Sequence, residues 1–168
     1  TAAKRLARSG VAVRATRPAT RSGRRITLPV ERGTVGTRTT LEHGGSIAFR
    51  RRAGGRTRTV VWRDIRATLG TRTSITAVVG GKRRTVLTSA RRKPVVDRNA
   101  ATARLKSTQV TLTTTTARLM RRTLRLSRLS RSFGTVVVDA ALRAGTDAGT
   151  PTTTPLGPEP EPLARPAS

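Results

Sequence analysis

Apolar and polar residues alternate along most of the chain, in short runs that end at glycine or at arginine-rich segments. Alternation with a period of two places the apolar residues on one face of a strand and the polar residues on the other. In the segment 74–80, for example, Ile75, Ala77 and Val79 share one face. Six runs of this kind predict β-strands, and they are 44–49, 56–65, 74–80, 84–89, 103–112 and 133–140.

Glycine and proline mark the ends of several predicted elements. Residues 2–9 predict a short helix that ends at Gly10, where a left-handed cap costs least. Residues 25–30 predict a strand, and Pro29 places that strand at a sheet edge or a bulge. Hairpin turns are predicted at two glycine pairs, 54–55 and 80–81.

The long run 103–112 changes phase in its middle. Leu105 is on one phase, whereas Val110 and Leu112 are on the opposite phase. A bulge near Ser107 brings all three apolar side chains to the same face, because an extra residue reverses the alternation.

A helix is predicted directly after this run. Thr113 is a suitable N-cap residue, and Ala117, Met120 and Leu124 recur near helical spacing. The four threonines 113–116 are poor residues for a helix interior, so the helix is expected to start late.

Proline, threonine and acidic residues dominate the end of the chain, which divides it into a basic β domain at 1–144 and a tail at 145–168. Residues 1–140 hold 33 basic and 5 acidic residues, a net charge of +28, whereas residues 141–168 have a net charge of −1. The predicted fold class is mainly β: an antiparallel β-sandwich-like domain with one or two short helices and an extended Pro/Thr-rich C-terminal tail.

The excess of positive charge is the strongest functional indication in the sequence, since 35 Lys and Arg face 8 Asp and Glu. So much charge of one sign repels itself and favours an anionic partner. The basic side chains are clustered, and the predicted polyanion-binding residues are Arg50, Arg51, Arg52, Arg56, Arg58, Lys82, Arg83, Arg84, Arg91, Arg92, Lys93, Arg121, Arg122 and Arg125. The alternative is that these clusters are solvated turns that protect sheet edges.

The chain contains few residues of the kinds that catalysis uses, and we expect that the protein is not an enzyme. The chain has one histidine, no cysteine and no phosphate-binding glycine loop. The five carboxylates of the body lie among arginines, and ion pairing is expected for Glu31, Glu42, Asp64, Asp97 and Asp139. No apolar run reaches the roughly 18 residues of a membrane span.

Aromatic residues are also scarce, which limits how a nucleic acid could be bound. Because Trp62, Phe49 and Phe133 are the only aromatic residues, stacking of bases on aromatic rings can contribute little to the affinity for a nucleic acid. Binding to DNA is then expected through the phosphate backbone, without sequence preference and with steep salt dependence.

The order of the segments resembles the HtaA-domain family, and most closely its short proteins secreted by high-GC actinobacteria. The similarity extends over about residues 3–142. The segments that contribute most to it are the Gly-Gly strand, the strand whose last five residues are 76–80, and the Leu-Thr step from strand to helix. The segments that carry it are 7–13, 25–35, 41–49, 62–70, 74–83, 107–120 and 133–140.

The resemblance implies a secreted or cell-wall β-sandwich-like domain and, in better-studied members, haem binding through a tyrosine supported by a histidine and a further tyrosine. This chain has no tyrosine. Arg51 and Arg52 follow the Gly-Gly strand where haem binders tend to have Gly-His, and Phe133 stands where a tyrosine is expected. His43, upstream of the usual histidine position and adjacent to Glu42 in a predicted turn, is the one candidate iron ligand.

The residues and the resemblance together leave several functions open. The first is an extracellular structural or binding protein that engages an anionic polymer such as DNA or an acidic glycan. The second is self-assembly into a homopolymer or filament through the acidic tail, with a flexible cell-wall spacer as the other interpretation of that segment. The alternatives are a haem-binding HtaA-type protein, with haem as cofactor, and a ribosomal or nucleoid-type protein. The start at Thr1 fits a processed mature chain or a fragment.

Overall fold

A computed structural model describes residues 6–23, 25–35, 38–91, 93–97 and 99–141. Residues 6–8 are helical, and helix α1 is Thr114–Thr123. The strands are β1 (Val11–Thr16), β2 (Thr20–Ser22), β3 (Arg25–Thr27), β4 (Val30–Thr34), β5 (Thr39–His43), β6 (Ser46–Ala53), β7 (Arg56–Leu69), β8 (Arg72–Val79), β9 (Lys82–Arg91), β10 (Val95–Asp97), β11 (Thr102–Leu112) and β12 (Ser132–Ala141).

Ten of the strands form one curled antiparallel sheet, with the order β1-β6-β7-β8-β9-β11-β10. Strand β12 pairs with the other side of β11, β4 pairs with β5, and β5 pairs with β7. The long strand β7 therefore pairs with β6 through its first half and with β5 through its second half. Between the halves, the pairing of β7 with β8 is shifted at 63–66, where Asp64 has a φ of 46°. The predicted antiparallel, mainly β class is confirmed.

The predicted hairpins and bulge are confirmed by the register. Both Gly-Gly pairs have positive φ values at each residue, 59° and 73° at 54–55 and 58° and 77° at 80–81. A two-residue hairpin turn whose twist matches that of its strands requires two successive residues in the left-handed region of φ and ψ. The register of β11 with β12 shifts between Leu105 and Thr108, on either side of Ser107.

The helix starts earlier than its sequence suggests. Helix α1 begins at Thr114, so the expected late start is wrong, although Thr113 is the N-cap as predicted. The Thr113 Oγ1 accepts a hydrogen bond from the Thr116 amide at 3.3 Å and donates one to the Thr85 carbonyl at 2.7 Å. Thr116 Oγ1 donates to the same carbonyl at 3.2 Å. These hydroxyls fasten the first turn to β9, and that tertiary attachment overrides the low helix propensity of threonine.

The N-terminal half departs from the prediction in two places. The single strand expected at 25–30 is wrong, because the chain breaks into β3 and β4 around Leu28 and Pro29. His43 lies in β5 and not in a turn, and the strand expected at 44–49 begins at Ser46. Gly45 joins β5 to β6 with a φ of 86°, and a Cβ there would lie 2.5 Å from the Thr16 carbonyl oxygen, so only glycine fits.

Two predictions at the ends of the chain fall partly or wholly outside the described residues. Of the helix expected at 2–9, residues 6–8 are helical, and Gly10 follows with the predicted positive φ, 70°. The tail at 145–168, and with it the boundary between the two predicted domains, lies outside the described residues.

The aromatic side chains meet at the centre of the core. Phe49 and Trp62 are buried, with ring centroids 4.8 Å apart, and the half-buried Phe133 lies 6.0 Å from Phe49 and 5.4 Å from Trp62. Aliphatic side chains from β7, β8, β9 and β11 surround this cluster. The three rings are therefore committed to packing β6, β7 and β12 together.

Candidate polyanion-binding surface

Several strands of the sheet contain no acidic residue. Strands β1, β6, β8 and β9 contain no Asp or Glu, and neither does the first half of β7. The acidic residues of the described part lie in β4, β5, β10 and β12 and at the bend of β7, and they are Glu31, Glu42, Asp97, Asp139 and Asp64. The β6–β7 and β8–β9 hairpins, which carry most of the predicted basic clusters, thus contain one acidic residue, Asp64 at the bend of β7.

The first predicted cluster is divided between the two faces of the β6–β7 hairpin. Arg51 is the cross-strand neighbour of Arg58, and Phe49 is the neighbour of Val60. Side chains alternate along a strand, so Arg51 and Arg58 point to the same side as the core residues. Both are half-buried, and the Nε of Arg58 is buried without a hydrogen-bond partner among the described residues.

Arg50 and Arg52 point to the opposite, solvent side of the hairpin, where they are exposed. Neighbouring strands add more arginines to that side. Arg14 on β1 pairs with Ala48, two residues from Arg50, and Arg63 on β7 lies in one row with Val78 and Arg83. We call this surface the cationic face, and its exposed members are Arg14, Arg50, Arg52, Arg63 and Arg83.

Asp64 borders the cationic face without an ion pair to any described residue, and its backbone carbonyl accepts a hydrogen bond from Arg83 Nη1 at 2.9 Å. Arg63 and Arg83 are two strands apart, or about 10 Å across the sheet. The backbone positions of Arg63 and Arg83 are therefore far enough apart for the two side chains to contact different anionic groups.

Arg51 has a structural partner. Its Nη1 donates to the Leu124 carbonyl at 3.0 Å and also to the Arg125 carbonyl, at the C-terminal end of α1. That end is closed by hydrogen bonds from the amide of Arg125 to Arg122 O and from the amide of Leu126 to Arg121 O. A cation at a helix C-terminus compensates the negative end of the helix dipole. The structure thus brings the basic cluster at 121–125 next to the first cluster.

Arg56 is exposed at the start of β7, and the remaining predicted residues lie along β9 or directly after it. Arg83 is on the cationic face, Lys82 is exposed beside the turn, and Arg84 points inward beside Ala77 with a buried Nε that has no described partner. Arg91 lies at the other end of the ten-residue strand, about 30 Å away. Lys93 follows it and is exposed, and Arg92 lies outside the described residues. The 91–93 cluster is therefore separate from the cationic face.

Two members of the cationic face, Arg14 and Arg63, were not among the predicted site residues. Neither belongs to a run of basic residues, and only such runs are visible as clusters in the sequence. The alternation of β7 places Arg63 on the solvent side, but the position of Arg14 depends on the long-range pairing of β1 with β6.

Most of the other described carboxylates form ion pairs or hydrogen bonds. Glu42 pairs with Arg66 at 3.0 Å, and Asp139 pairs with Arg104 at 3.3 Å, as the sequence suggested. Asp97 instead accepts hydrogen bonds from the backbone amides of Asn99 and Ala100 at 2.9 and 3.0 Å, which forms a turn.

His43 does not fit the haem site that the family resemblance implies. Its Nδ1 lies 3.2 Å from the Leu28 carbonyl, to which it donates, and burial lowers the pKa of the imidazole. Phe133 has no ligating atom and packs against the core aromatics. Within the described ranges, no three His, Cys, Asp or Glu side chains cluster as a metal site.

Fold and surface together define a basic antiparallel β domain with exposed arginines on the solvent side of β1, β6, β7 and β9. No family model matches the chain, and no curated protein matches its sequence. Among solved structures, it is similar to a domain-swapped dimer of a variant of the C-terminal domain of HtaA from Corynebacterium glutamicum, with a TM-score of 0.60 and 16% identity. The match covers 84% of this chain and 90% of that chain, so the fold is HtaA-like. No helix of the described part is long and apolar enough to cross a membrane.

Proposed function

We propose that this chain is a non-enzymatic binding protein whose cationic face holds an anionic polymer such as DNA or an acidic glycan. The observation that carries the proposal is the cationic face itself, because five exposed arginines of β1, β6, β7 and β9 share one side of the sheet and Asp64 is the one carboxylate in those four strands. Guanidinium groups form bidentate hydrogen bonds with phosphate and carboxylate, and both polymers supply such groups.

The burial of the aromatic residues supports contact with the polymer backbone. Phe49 and Trp62 lie in the core, and Phe133 packs against both. With no exposed ring in the described residues on which a base could stack, affinity must come from charge and hydrogen bonds. The same binding mode then serves DNA and acidic glycans alike, without sequence preference.

A secreted or cell-wall location is part of the proposal. It rests on the family resemblance of the sequence and is compatible with the HtaA-like fold. An anionic polymer outside the cell, whether released DNA or wall glycan, then supplies the counter-charge that this body requires.

The experiment compares two double variants with equal loss of charge. Arg50→Ala/Arg52→Ala removes two members of the cationic face, and Arg32→Ala/Lys106→Ala removes two exposed cations from β4 and β11. Fluorescence anisotropy with a labelled DNA duplex, and separately with heparin, gives the Kd of each. We expect about tenfold weaker binding for the first variant at ~0.1 M salt and a change of about twofold or less for the second.

Two results would contradict the proposal. If the wild type binds neither polymer at low salt, the function is wrong. If both double variants lose the same affinity, net charge acts without the cationic face, and the assigned surface is wrong.

A further inference from the structure

Strand β12 has an open edge in the described part of the chain. It pairs with β11 along one side, and no described strand pairs with its other side. An unpaired strand edge presents free amide and carbonyl groups that can pair with another chain. Natural proteins usually protect such an edge with lysine or proline, and β12 (SFGTVVVDAA) contains neither.

The centre of this edge strand is apolar and exposed. Val136 and Val138 point toward the core, whereas Val137 points outward with 66% of its surface exposed. Among the described residues, only Val95 is another large hydrophobic side chain so exposed, also at 66%. Three consecutive valines have high β propensity, which favours addition of another strand.

The edge strand itself carries no basic residue. Asp139 is the one charged residue of β12, on a molecule with a net charge of +27. Contact between two cationic faces would place arginine against arginine. Contact between two β12 strands involves one carboxylate from each copy, already paired with Arg104 at 3.3 Å.

We propose that two copies of this chain pair antiparallel through β12, about a two-fold axis at Val137. In this register Val137 faces its own counterpart, and Asp139 of each copy faces Thr135 of the other, so no like charges of the two strands lie directly opposite. The contact is isologous, as expected for a symmetric dimer. Pairing satisfies the open backbone groups and buries the two exposed valines against each other.

Salt has opposite effects on this contact and on polymer binding. Each body is strongly positive, so screening lowers the repulsion between copies and favours the dimer. Polymer binding weakens as salt rises, because it releases counterions. The dimer does not depend on the proposed function, and the two can be measured separately.

The test is the molar mass of the full chain in solution, by light scattering after size exclusion, at about 0.05 M and about 1 M NaCl. We expect the wild type to shift from one chain toward two as salt rises. Val137→Lys should stay monomeric in both buffers, because it replaces the apolar contact at the two-fold axis with two ammonium groups face to face. Val95→Lys is the matched control, equally exposed on β10, and should dimerise like the wild type.

A wild type that stays monomeric at the higher salt would overturn the proposal, and this is also the outcome if residues 142–168 of the same chain cover the edge. Equal dimerisation of Val137→Lys and Val95→Lys would overturn it as well. Anisotropy with the DNA duplex for Val137→Lys should still show wild-type binding, which separates loss of the dimer from loss of polymer binding.

Discussion

At the scale of single residues, the alternation of side chains along a strand decides whether a basic residue faces solvent or contacts the rest of the fold. Arg50, Arg51 and Arg52 are consecutive, yet the outer two belong to the cationic face and the middle one binds backbone carbonyls at the end of α1. His43 shows the same dependence on position. As a strand residue whose Nδ1 donates to Leu28, it is a structural group with a lowered pKa and not an open ligand.

The lowered pKa of His43 predicts a pH-dependent stability. The folded chain resists protonation of the imidazole, mainly because of burial, whereas the unfolded chain takes up a proton near the ordinary pKa of about 6.5. The free energy of unfolding should therefore fall as the pH drops through and below that value. His43→Gln should show a smaller fall.

Urea unfolding at about pH 7.5 and about pH 5.5, followed by the fluorescence of the single Trp62, measures this difference. Trp62 is 1% exposed, so its emission reports directly on the loss of the core. An equal loss of stability in wild type and variant would show that His43 does not couple folding to pH.

At the scale of elements, Arg51 joins two parts of the fold. It connects β6 to the C-terminal end of α1, while Thr113 and Thr116 connect the other end of the helix to β9. The helix is thus held across the sheet at both ends by side chain to backbone hydrogen bonds.

Removal of this connection should destabilise the protein. We expect Arg51→Ala to lower the free energy of unfolding by about 2 kcal/mol, since a half-buried charged hydrogen bond at a helix terminus is lost. Arg52→Ala, the exposed neighbour, should change it by no more than about 0.5 kcal/mol. Urea unfolding of both variants gives the comparison, and similar values for the two would refute the role of Arg51.

Local elements were predictable from the sequence, but their long-range partners were not. The Gly-Gly turns, the bulge near Ser107 and the Thr113 cap follow from short-range rules and are confirmed. The start of α1 was misjudged, because its threonines bond to Thr85, which is distant in sequence. The cationic face was found only in part for the same reason, since Arg14 joins it through the pairing of β1 with β6.

At the scale of the whole molecule, the surface contains regions that differ in their ion pairing. The cationic face groups five exposed arginines with Asp64 at its border, while Glu42 and Asp139 pair with Arg66 and Arg104. An HtaA-like fold with this charge distribution fits a protein that holds an anionic polymer on one surface and pairs with a second copy along β12. The tail at 145–168 and its proposed role in self-assembly stay a prediction.

The salt dependence of polymer binding tests the central claim most directly. The affinity of the full chain for a DNA duplex, measured by anisotropy between about 0.05 M and about 0.5 M salt, should fall linearly on a double-logarithmic plot. If the five arginines of the cationic face each contact a phosphate, the slope should be about −4 to −5. An affinity that does not change over this range, or no binding at the lowest salt, would contradict the account.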